Sequence, residues 1–205
     1  MRLSVINSKF ERVIKRSFAH HLLPRGYQQN GHQFYLKTNQ IGKLVTIDRD
    51  LNHTYYHQVA IFTLRVEILS DEVWELNYPD QLPPVFPFEV TPYPVFYRNL
   101  GEFYGKNRGA QWLALDATAP EQLMIQYLNE LLRTRILPYL DQFNSIDAIL
   151  EECSRVGFSH LRMLLLARLG RQDEARAELK KLIASRHQKG FRINIIKVGQ
   201  RLGLI

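Results

Sequence analysis

The stretch from Gln58 to Leu69, QVAIFTLRVEIL, constrains the fold of this chain more than any other segment. Alternate positions along it are apolar from end to end: Ala60, Phe62, Leu64, Val66 and Ile68. Period two sends successive side chains to opposite faces of a strand, so one face of this strand must be covered. The other face turns polar at Thr63, Arg65 and Glu67. We therefore predict a half-buried antiparallel sheet, with one face partly open to water or to a partner.

An amphipathic helix near the N-terminus is the predicted cover for the apolar face. Ser8 and Glu11 have the spacing of a capping box, which predicts a helix that starts at Ser8. Apolar residues then recur at spacings of three and four: Phe10, Val13, Ile14, Phe18 and Leu22. Pro24 and Gly26 predict the end of this helix.

Two short strand-like runs, Gln33 to Lys37 and Lys43 to Asp50, precede the alternating stretch. They are joined by turn-forming residues 39–42 and predict a β-hairpin, which the stretch 58–69 extends to a meander. The predicted fold class is therefore α+β: an antiparallel meander packed against the N-terminal helix and followed by a C-terminal helical segment.

The formal net charge of +7 is concentrated in the last quarter of the chain. Residues 154–205 hold twelve Lys and Arg against three acids, a net +9, so residues 1–153 carry a net −2. We accordingly predict a sheet domain, residues 1–153, and a basic C-terminal helical appendage, residues 154–205. Basicity can attract a partner only through the appendage.

Several features predict a cytoplasmic protein without membrane association. Uninterrupted apolar runs such as Met163 to Ala167 are far shorter than the roughly 18 residues of a membrane-spanning helix. Lys9 and Glu11 interrupt the segment that a signal peptide would need to be apolar. The single cysteine, Cys153, cannot form an internal disulfide, which favours a reducing compartment.

A proline-rich aromatic segment, residues 77–97, follows the alternating strand and holds six of the nine prolines. Proline removes ladder donors, so this segment cannot be a central strand, and its aromatic content argues against disorder. We predict an extended strap. Two interpretations stay open: the strap packs its rings back on the sheet or the first helix, or it binds a partner.

The appendage is predicted to contain a helical hairpin and a last helix. Leu161 to Leu169, a turn at Gly170 and a helix to about Arg186 form the hairpin, with Ala175 as the small residue where its helices approach. The hairpin resembles a single helical pair of a tetratricopeptide repeat, and one copy cannot build a solenoid core. The last helix is predicted over Ile193 to Leu202.

No residue cluster has the spacing of a catalytic or metal site. His53 and His57 are four apart, but they lie in a polar loop and lack the remaining ligands that zinc needs. Cys153 has a helical, mostly apolar context that predicts an inert thiol. We expect no enzymatic activity, no cofactor and no bound metal.

Four short motifs follow one another in a distinctive order: Gly26-Tyr27, Gly31 with Phe34-Tyr35, Arg98-x-Leu100-Gly101, and Gln111-Trp112 before a long helix. This order resembles the bacterial domain-of-unknown-function family numbered 4304, over roughly Ser8 to Leu150. The resemblance implies an α+β fold and a bacterial cytoplasmic protein, and it supplies no catalytic residues. It also implies, through some similar proteins, a role in protecting bacteria from the toxins of competing cells.

We expect a non-catalytic protein-binding module, an immunity protein whose partner is an acidic protein such as a toxin domain. The expected contact residues lie on the open sheet face and the strap: Arg49, Arg65, Glu67, Tyr93, Phe96, Tyr97 and Arg98. The alternative is nucleic-acid binding by the basic helices, because cations that contact phosphates supply affinity. Its expected contact residues are Arg176, Lys180, Lys181 and Arg186. The identity of the partner and the oligomeric state stay open.

Overall fold

The computed structural model describes residues 5–50, 59–78, 80–88, 93–105, 111–185 and 189–205, with side chains in the last range described from residue 193. Within these residues six strands form one antiparallel sheet, and helices precede and follow it, which confirms the α+β fold class. The strands are β1 Gln28–Asn30, β2 Gln33–Thr38, β3 Ile41–Arg49, β4 Val59–Ser70, β5 Phe96–Asn99 and β6 Leu113–Asp116. The α-helices are α1 Val5–Ile14, α2 His20–Leu22, α3 Asp71–Asn77, α4 Glu121–Leu131, α5 Leu137–Asp141, α6 Ile146–Val156, α7 Ser159–Arg168, α8 Gln172–Ala184 and α9 Lys189–Arg201.

The strand order is β1-β2-β3-β4-β5, and β6 also pairs with β4. The predicted meander corresponds to β2, β3 and β4, with the longest ladder running from Ile41 opposite Ser70 to Arg49 opposite Phe62. On the other side of β4, residues 59–62 pair with β6 and residues 65–68 pair with β5. Strands β5 and β6 therefore follow one another along the same edge of β4.

Helix α1 packs on the apolar face of β4, as the alternation predicts. The rings of Phe10 and Phe62 are both fully buried and meet edge to face, with centroids 5.2 Å apart. The predicted helix start at Ser8 is wrong, because α1 already includes Val5 and buries Ile6 in the same apolar stripe. A π turn, Lys15–Ala19, links α1 to α2. The chain then leaves the helix at Gly26, which has a positive φ of 88°.

The strap covers part of the second sheet face. The rings of Phe86 and Phe88 lie 5.2 and 5.0 Å from the ring of Tyr35, in a small cluster with Leu44 and Leu69. The interpretation that the strap packs its rings on the sheet is confirmed for these two phenylalanines. Tyr93, further along the strap, is exposed.

The C-terminal helices share the core of the sheet domain. One continuous cluster of buried apolar side chains extends from Ile6 to Leu204 and includes the fully buried Ala175 on α8. Helices α7 and α8 form the predicted hairpin, with Gly170 at a positive φ of 75° between them. Arg168 on α7 also forms ion pairs with Glu72 and Glu75 on α3. The division of the chain at residue 153 stays a prediction.

Among the described residues, no helix is both long enough and apolar enough to cross a membrane.

Candidate protein-binding cleft

A cleft of about 730 Å³ runs along the outer edge of β5 and is named the β5 cleft below. One wall is formed by the end of the strap and β5 itself, residues 93–99, and the opposite wall comes from α6, α7 and the residues between them. Six of the seven contact residues expected for a protein partner line it: Arg65, Glu67, Tyr93, Phe96, Tyr97 and Arg98. The structure therefore brings together residues that are up to 33 positions apart in the sequence, counted from Arg65 to Arg98.

Strand β5 is an edge strand in the sheet that the structure describes. It pairs with β4 from Phe96 opposite Ile68 to Asn99 opposite Arg65, and the described sheet has no strand beyond it. Directly opposed residues of an antiparallel pair share a face, so Tyr97 lies beside Glu67 on the second sheet face. Phe96 and Arg98 point to the helix-covered face. The β5 cleft consequently wraps around the edge and is lined from both faces.

Arg65 and Glu67 form a partly buried polar pair on the floor of the β5 cleft. Arg65 Nε lies 3.2 Å from Glu67 Oε2, and the side chain of Glu67 is buried. The two atoms are close enough for an ion pair but are not aligned for a hydrogen bond, and both lack another hydrogen-bond partner within the described structure. Burial raises the pKa of Glu67, and the neighbouring Arg65 opposes that shift.

Three aromatic rings give the β5 cleft an exposed apolar rim. Tyr93 is 79% exposed, Tyr97 58% and Phe158 48%, whereas Phe96 is buried between them and the core. The rings of Phe96 and Phe158 are stacked at 6.0 Å between centroids. Large apolar side chains exposed together beside polar groups are typical of interaction sites.

Arg98 lies at the back of the β5 cleft, where the edge strand meets the helices. Its guanidinium carbon is 4.2 Å from the centre of the Tyr139 ring, a cation–π contact, and its Nη2 is 3.9 Å from Glu152 Oε1. Arg155 on α6 binds the same Glu152 carboxylate with two nitrogens, one of them Nε at 2.6 Å from Oε2.

Arg49 does not belong to the β5 cleft, and its expected position on the open sheet face is wrong. It lies opposite Phe62 in the ladder and therefore points to the face that α1 covers. Its guanidinium carbon is 5.2 Å from the Phe10 ring centre, and its Nη2 donates a hydrogen bond to Asn7 Oδ1 at 2.7 Å. Arg49 on β3 thus links α1 to the sheet through these two contacts.

Residues from α6 and α7 were missed by sequence reasoning. Glu152, Arg155 and Phe158 line the β5 cleft, but they are about 55 positions beyond β5 and reach it only through helix packing. The available signal was weak: Phe158 follows the helix-ending Gly157, and an apolar residue at that position commonly packs on the last turn of the same helix.

Three of the four expected nucleic-acid contacts, Arg176, Lys180 and Lys181, lie on α8, and none of the three lines the β5 cleft. Arg176 pairs with Asp173 at 3.0 Å, and Lys181 pairs with Glu178 at 2.8 Å. Lys180 is exposed, and Arg186 lies outside the described residues. Two of the four side chains are therefore partly neutralised by carboxylates of their own helix.

Residues with catalytic or metal-binding chemistry are not grouped in the described part of the chain. No set of three or more His, Cys, Asp and Glu is placed there to hold a metal ion. His53 and His57 lie outside the described residues. Cys153 is fully buried, and burial raises the pKa of its thiol to about 12, so the nucleophilic thiolate is scarce near neutral pH.

Comparison with known proteins finds one family. The family described as Domain of unknown function (DUF4304) matches residues 18–142, which is more than half of the chain. This span includes the sheet, the strap and α4, and it ends before α6. No match was found among curated proteins, and none among solved structures.

Proposed function

The chain belongs to the DUF4304 family, and we propose that it is a non-catalytic protein-binding module that uses the β5 cleft. The observation that carries this proposal is the edge strand itself. Strand β5 has no further strand beside it in the described sheet, and the cleft along it is rimmed by exposed rings.

The proposed partner contributes an extended segment that runs along β5. Edge strands have unpaired backbone groups that pair readily with an extended segment of another chain. Tyr93, Tyr97 and Phe158 would then contact side chains of that segment, because they flank the strand and are exposed. Rings of this kind often supply most of the binding energy at an interface.

An acidic partner fits the charge distribution of the whole chain. The net +9 of residues 154–205 includes side chains exposed on α8 and α9, such as Lys180, Lys197 and Arg201. This basic surface on α8 and α9 would speed the association of an acidic protein by long-range attraction and would make binding weaker at high salt.

Neutralisation of a toxin from a competing bacterial cell is the specific role that we propose within this class. It rests on the family resemblance, because the cleft geometry favours protein binding without naming the partner. Co-expression with a toxin encoded beside this gene tests it. Growth that recovers with the wild-type chain, but not with a β5-cleft variant, would support the role, and equal growth inhibition with both chains would contradict it.

A pull-down with matched variants tests the binding function. The baits are the wild-type chain, Tyr97→Asp on β5 and Leu123→Asp, which is similarly exposed on α4 outside the cleft. Lysate of the native host is treated with nuclease and applied at low and high salt. We expect the same protein on the wild-type and Leu123→Asp baits, and a loss of roughly thirtyfold on Tyr97→Asp, the cost of about 2 kcal/mol that a central aromatic contact gives.

Two outcomes of this pull-down would contradict the proposed function. Equal capture by Tyr97→Asp and the wild type would contradict binding at the β5 cleft. Loss of all bound material after nuclease treatment, with a steep salt dependence, would favour nucleic-acid binding by the basic helices instead.

A further inference from the structure

A second concavity of about 450 Å³ adjoins the β5 cleft and is named the arginine pocket below. Three arginines from different elements line it: Arg98 on β5, Arg135 in a π turn, Leu132–Ile136, between α4 and α5, and Arg155 on α6. Its remaining lining residues are Glu102, Phe103, Pro138, Tyr139 and Gln142. Arg98 and Arg155 line the β5 cleft as well, so the two spaces share a wall.

Each guanidinium in the arginine pocket is held in place by the protein. The guanidinium carbon of Arg135 is 4.8 Å from the Tyr104 ring centre, and its Nη1 donates a hydrogen bond to the Phe103 carbonyl. Arg155 is fixed by its two-nitrogen contact with a carboxylate of its own helix. Arg98 is stacked on Tyr139. A ligand that binds these groups would therefore lose little side-chain entropy.

Arg98 is the arginine of this pocket whose guanidinium N–H groups are available to a ligand. Its nearest carboxylate, Glu152, is 3.9 Å away, which is too far for a hydrogen bond, and that carboxylate already accepts two hydrogen bonds from Arg155. No hydrogen bond from Arg98 is present among the described residues. An arginine that is stacked on a ring but has free, coplanar N–H groups is suited to bind a carboxylate or phosphate with two hydrogen bonds.

The charge balance of the pocket is also positive. Three guanidiniums and one carboxylate, that of Glu102, line the pocket, and the carboxylate of Glu152 lies beside Arg98 and Arg155. Glu102 already accepts a hydrogen bond from the Asn99 N–H at 2.8 Å. Burial raises the pKa of Tyr139, so the phenol stays neutral and adds no negative charge. The arginine pocket therefore keeps a net positive charge that the surrounding groups do not neutralise.

We propose that the arginine pocket binds an oxyanion of the carboxylate or phosphate class. Arg98 supplies the direct pair of hydrogen bonds, and Arg135 and Arg155 supply the surrounding positive charge. This inference goes beyond the proposed function, because a free anion can occupy the pocket when no protein partner is present. The two proposals can therefore fail separately.

The test uses the full chain and two probes, inorganic phosphate and succinate, added at constant ionic strength against sodium chloride. Binding is followed by the NMR signals of the arginine Nε–H groups and by calorimetric titration. We expect a saturable shift of the Arg98 and Arg155 signals with at least one probe. Stronger binding of phosphate would assign the pocket to phosphoryl groups, and stronger binding of succinate would assign it to carboxylates.

Matched variants make the test specific. Arg98→Gln should weaken binding at least about tenfold, the usual loss for a hydrogen bond to a charged group. Arg133→Gln is the control, since Arg133 is exposed and pairs only with Glu130 among the described residues. Arg135→Gln serves if Arg98→Gln does not fold, because Arg135 is exposed. No saturable response to either anion, or equal affinity in wild type and the Arg98→Gln or Arg135→Gln variant, would overturn the proposal.

Discussion

Burial on the floor of the β5 cleft favours the neutral, protonated form of the Glu67 carboxyl group. Its side chain is buried, and Arg65 is the nearby cation. A carboxyl group whose pKa is raised by folding stabilises the folded state in its protonated form. That contribution is fully present below the unfolded value of about 4.5 and is lost as the pH rises through the folded pKa.

Glu67→Gln removes this titration while it keeps the shape of the side chain. The free energy of unfolding of the wild type, relative to that of the variant, should therefore decrease as the pH rises from about 4.5 through the folded-state pKa of Glu67. Urea denaturation of both proteins at a series of pH values above about 4.5 measures the difference, in which titratable groups that do not interact with Glu67 cancel. A difference that stays constant or increases with pH would show that folding does not raise the pKa of Glu67.

Lys9 is a buried cation that joins α1 to the loop after β6. Its ammonium group donates hydrogen bonds to the backbone oxygens of Asp116, at 2.6 Å, and Ala117, at 2.9 Å, and also to Ala119. Lys9→Met keeps the length of the side chain but leaves these acceptors without their donor. We expect a loss of about 1–3 kcal/mol in the free energy of unfolding.

The control for Lys9 is Lys15→Met, because Lys15 lies six residues further along the same helical segment and is exposed. Its effect should stay within about 0.5 kcal/mol. Thermal and urea denaturation compare the two variants. Equal effects would show that the carbonyls around Lys9 are satisfied by other donors.

At the scale of elements, the strap owes its position on the sheet to two phenylalanine rings. Phe86→Ala removes the ring that stacks on Tyr35 at 5.2 Å, whereas Val85→Ala removes a neighbouring side chain that is largely exposed. We expect about 1–3 kcal/mol of destabilisation for Phe86→Ala, less than for a fully buried phenylalanine, and a negligible change for Val85→Ala.

Limited proteolysis of residues 77–97 and urea denaturation measure this effect. Faster cleavage of the strap in Phe86→Ala than in Val85→Ala is the expected result. The same cleavage rate in both variants would mean that the strap is held by contacts other than these rings.

The sheet could be predicted from the sequence where period two was unambiguous. The alternation from Ala60 to Ile68 identified β4 and its buried face because both properties follow from local spacing. The orientation of Arg49 could not be predicted, since it depends on the register that places it opposite Phe62. Strand β5 was hidden at the end of a proline-rich segment, and it is a strand only because it pairs with residues 65–68 of β4.

The candidate binding residues were predicted only in part for a related reason. Tyr93, Tyr97 and Arg98 stood out because aromatic and charged residues were dense in the strap. Arg155 lies on α6 and Phe158 between α6 and α7, and no local pattern specifies that these residues line the cleft beside β5. The spacing of residues in the sequence cannot predict which residues tertiary packing brings together.

At the scale of the whole molecule, the continuous core predicts that sheet and C-terminal helices unfold together. Ala175 is fully buried in the α7–α8 hairpin, and both tryptophans, Trp74 and Trp112, lie before residue 153. Ala175→Leu should cost about 1–3 kcal/mol through overpacking. Because the core is shared, the midpoints from tryptophan fluorescence and from far-UV circular dichroism should shift by the same amount.

Ala177→Leu is the matched control, since Ala177 lies two residues further on α8 and is exposed. It should leave both midpoints nearly unchanged. A circular dichroism midpoint that falls in Ala175→Leu while the fluorescence midpoint stays in place would instead show that residues 154–205 unfold as an independent appendage.

Site-specific photo-crosslinking in the native host tests most directly that the β5 cleft binds a protein. A benzophenone amino acid replaces Tyr97 in one strain and Leu123 in another, and the irradiated lysates are treated with nuclease. We expect one discrete protein adduct from position 97 and none from position 123, because Tyr97 lies on the edge strand and Leu123 lies on α4 outside the cleft. No adduct at position 97, the same adducts at both positions, or an adduct that nuclease removes would contradict protein binding at the β5 cleft.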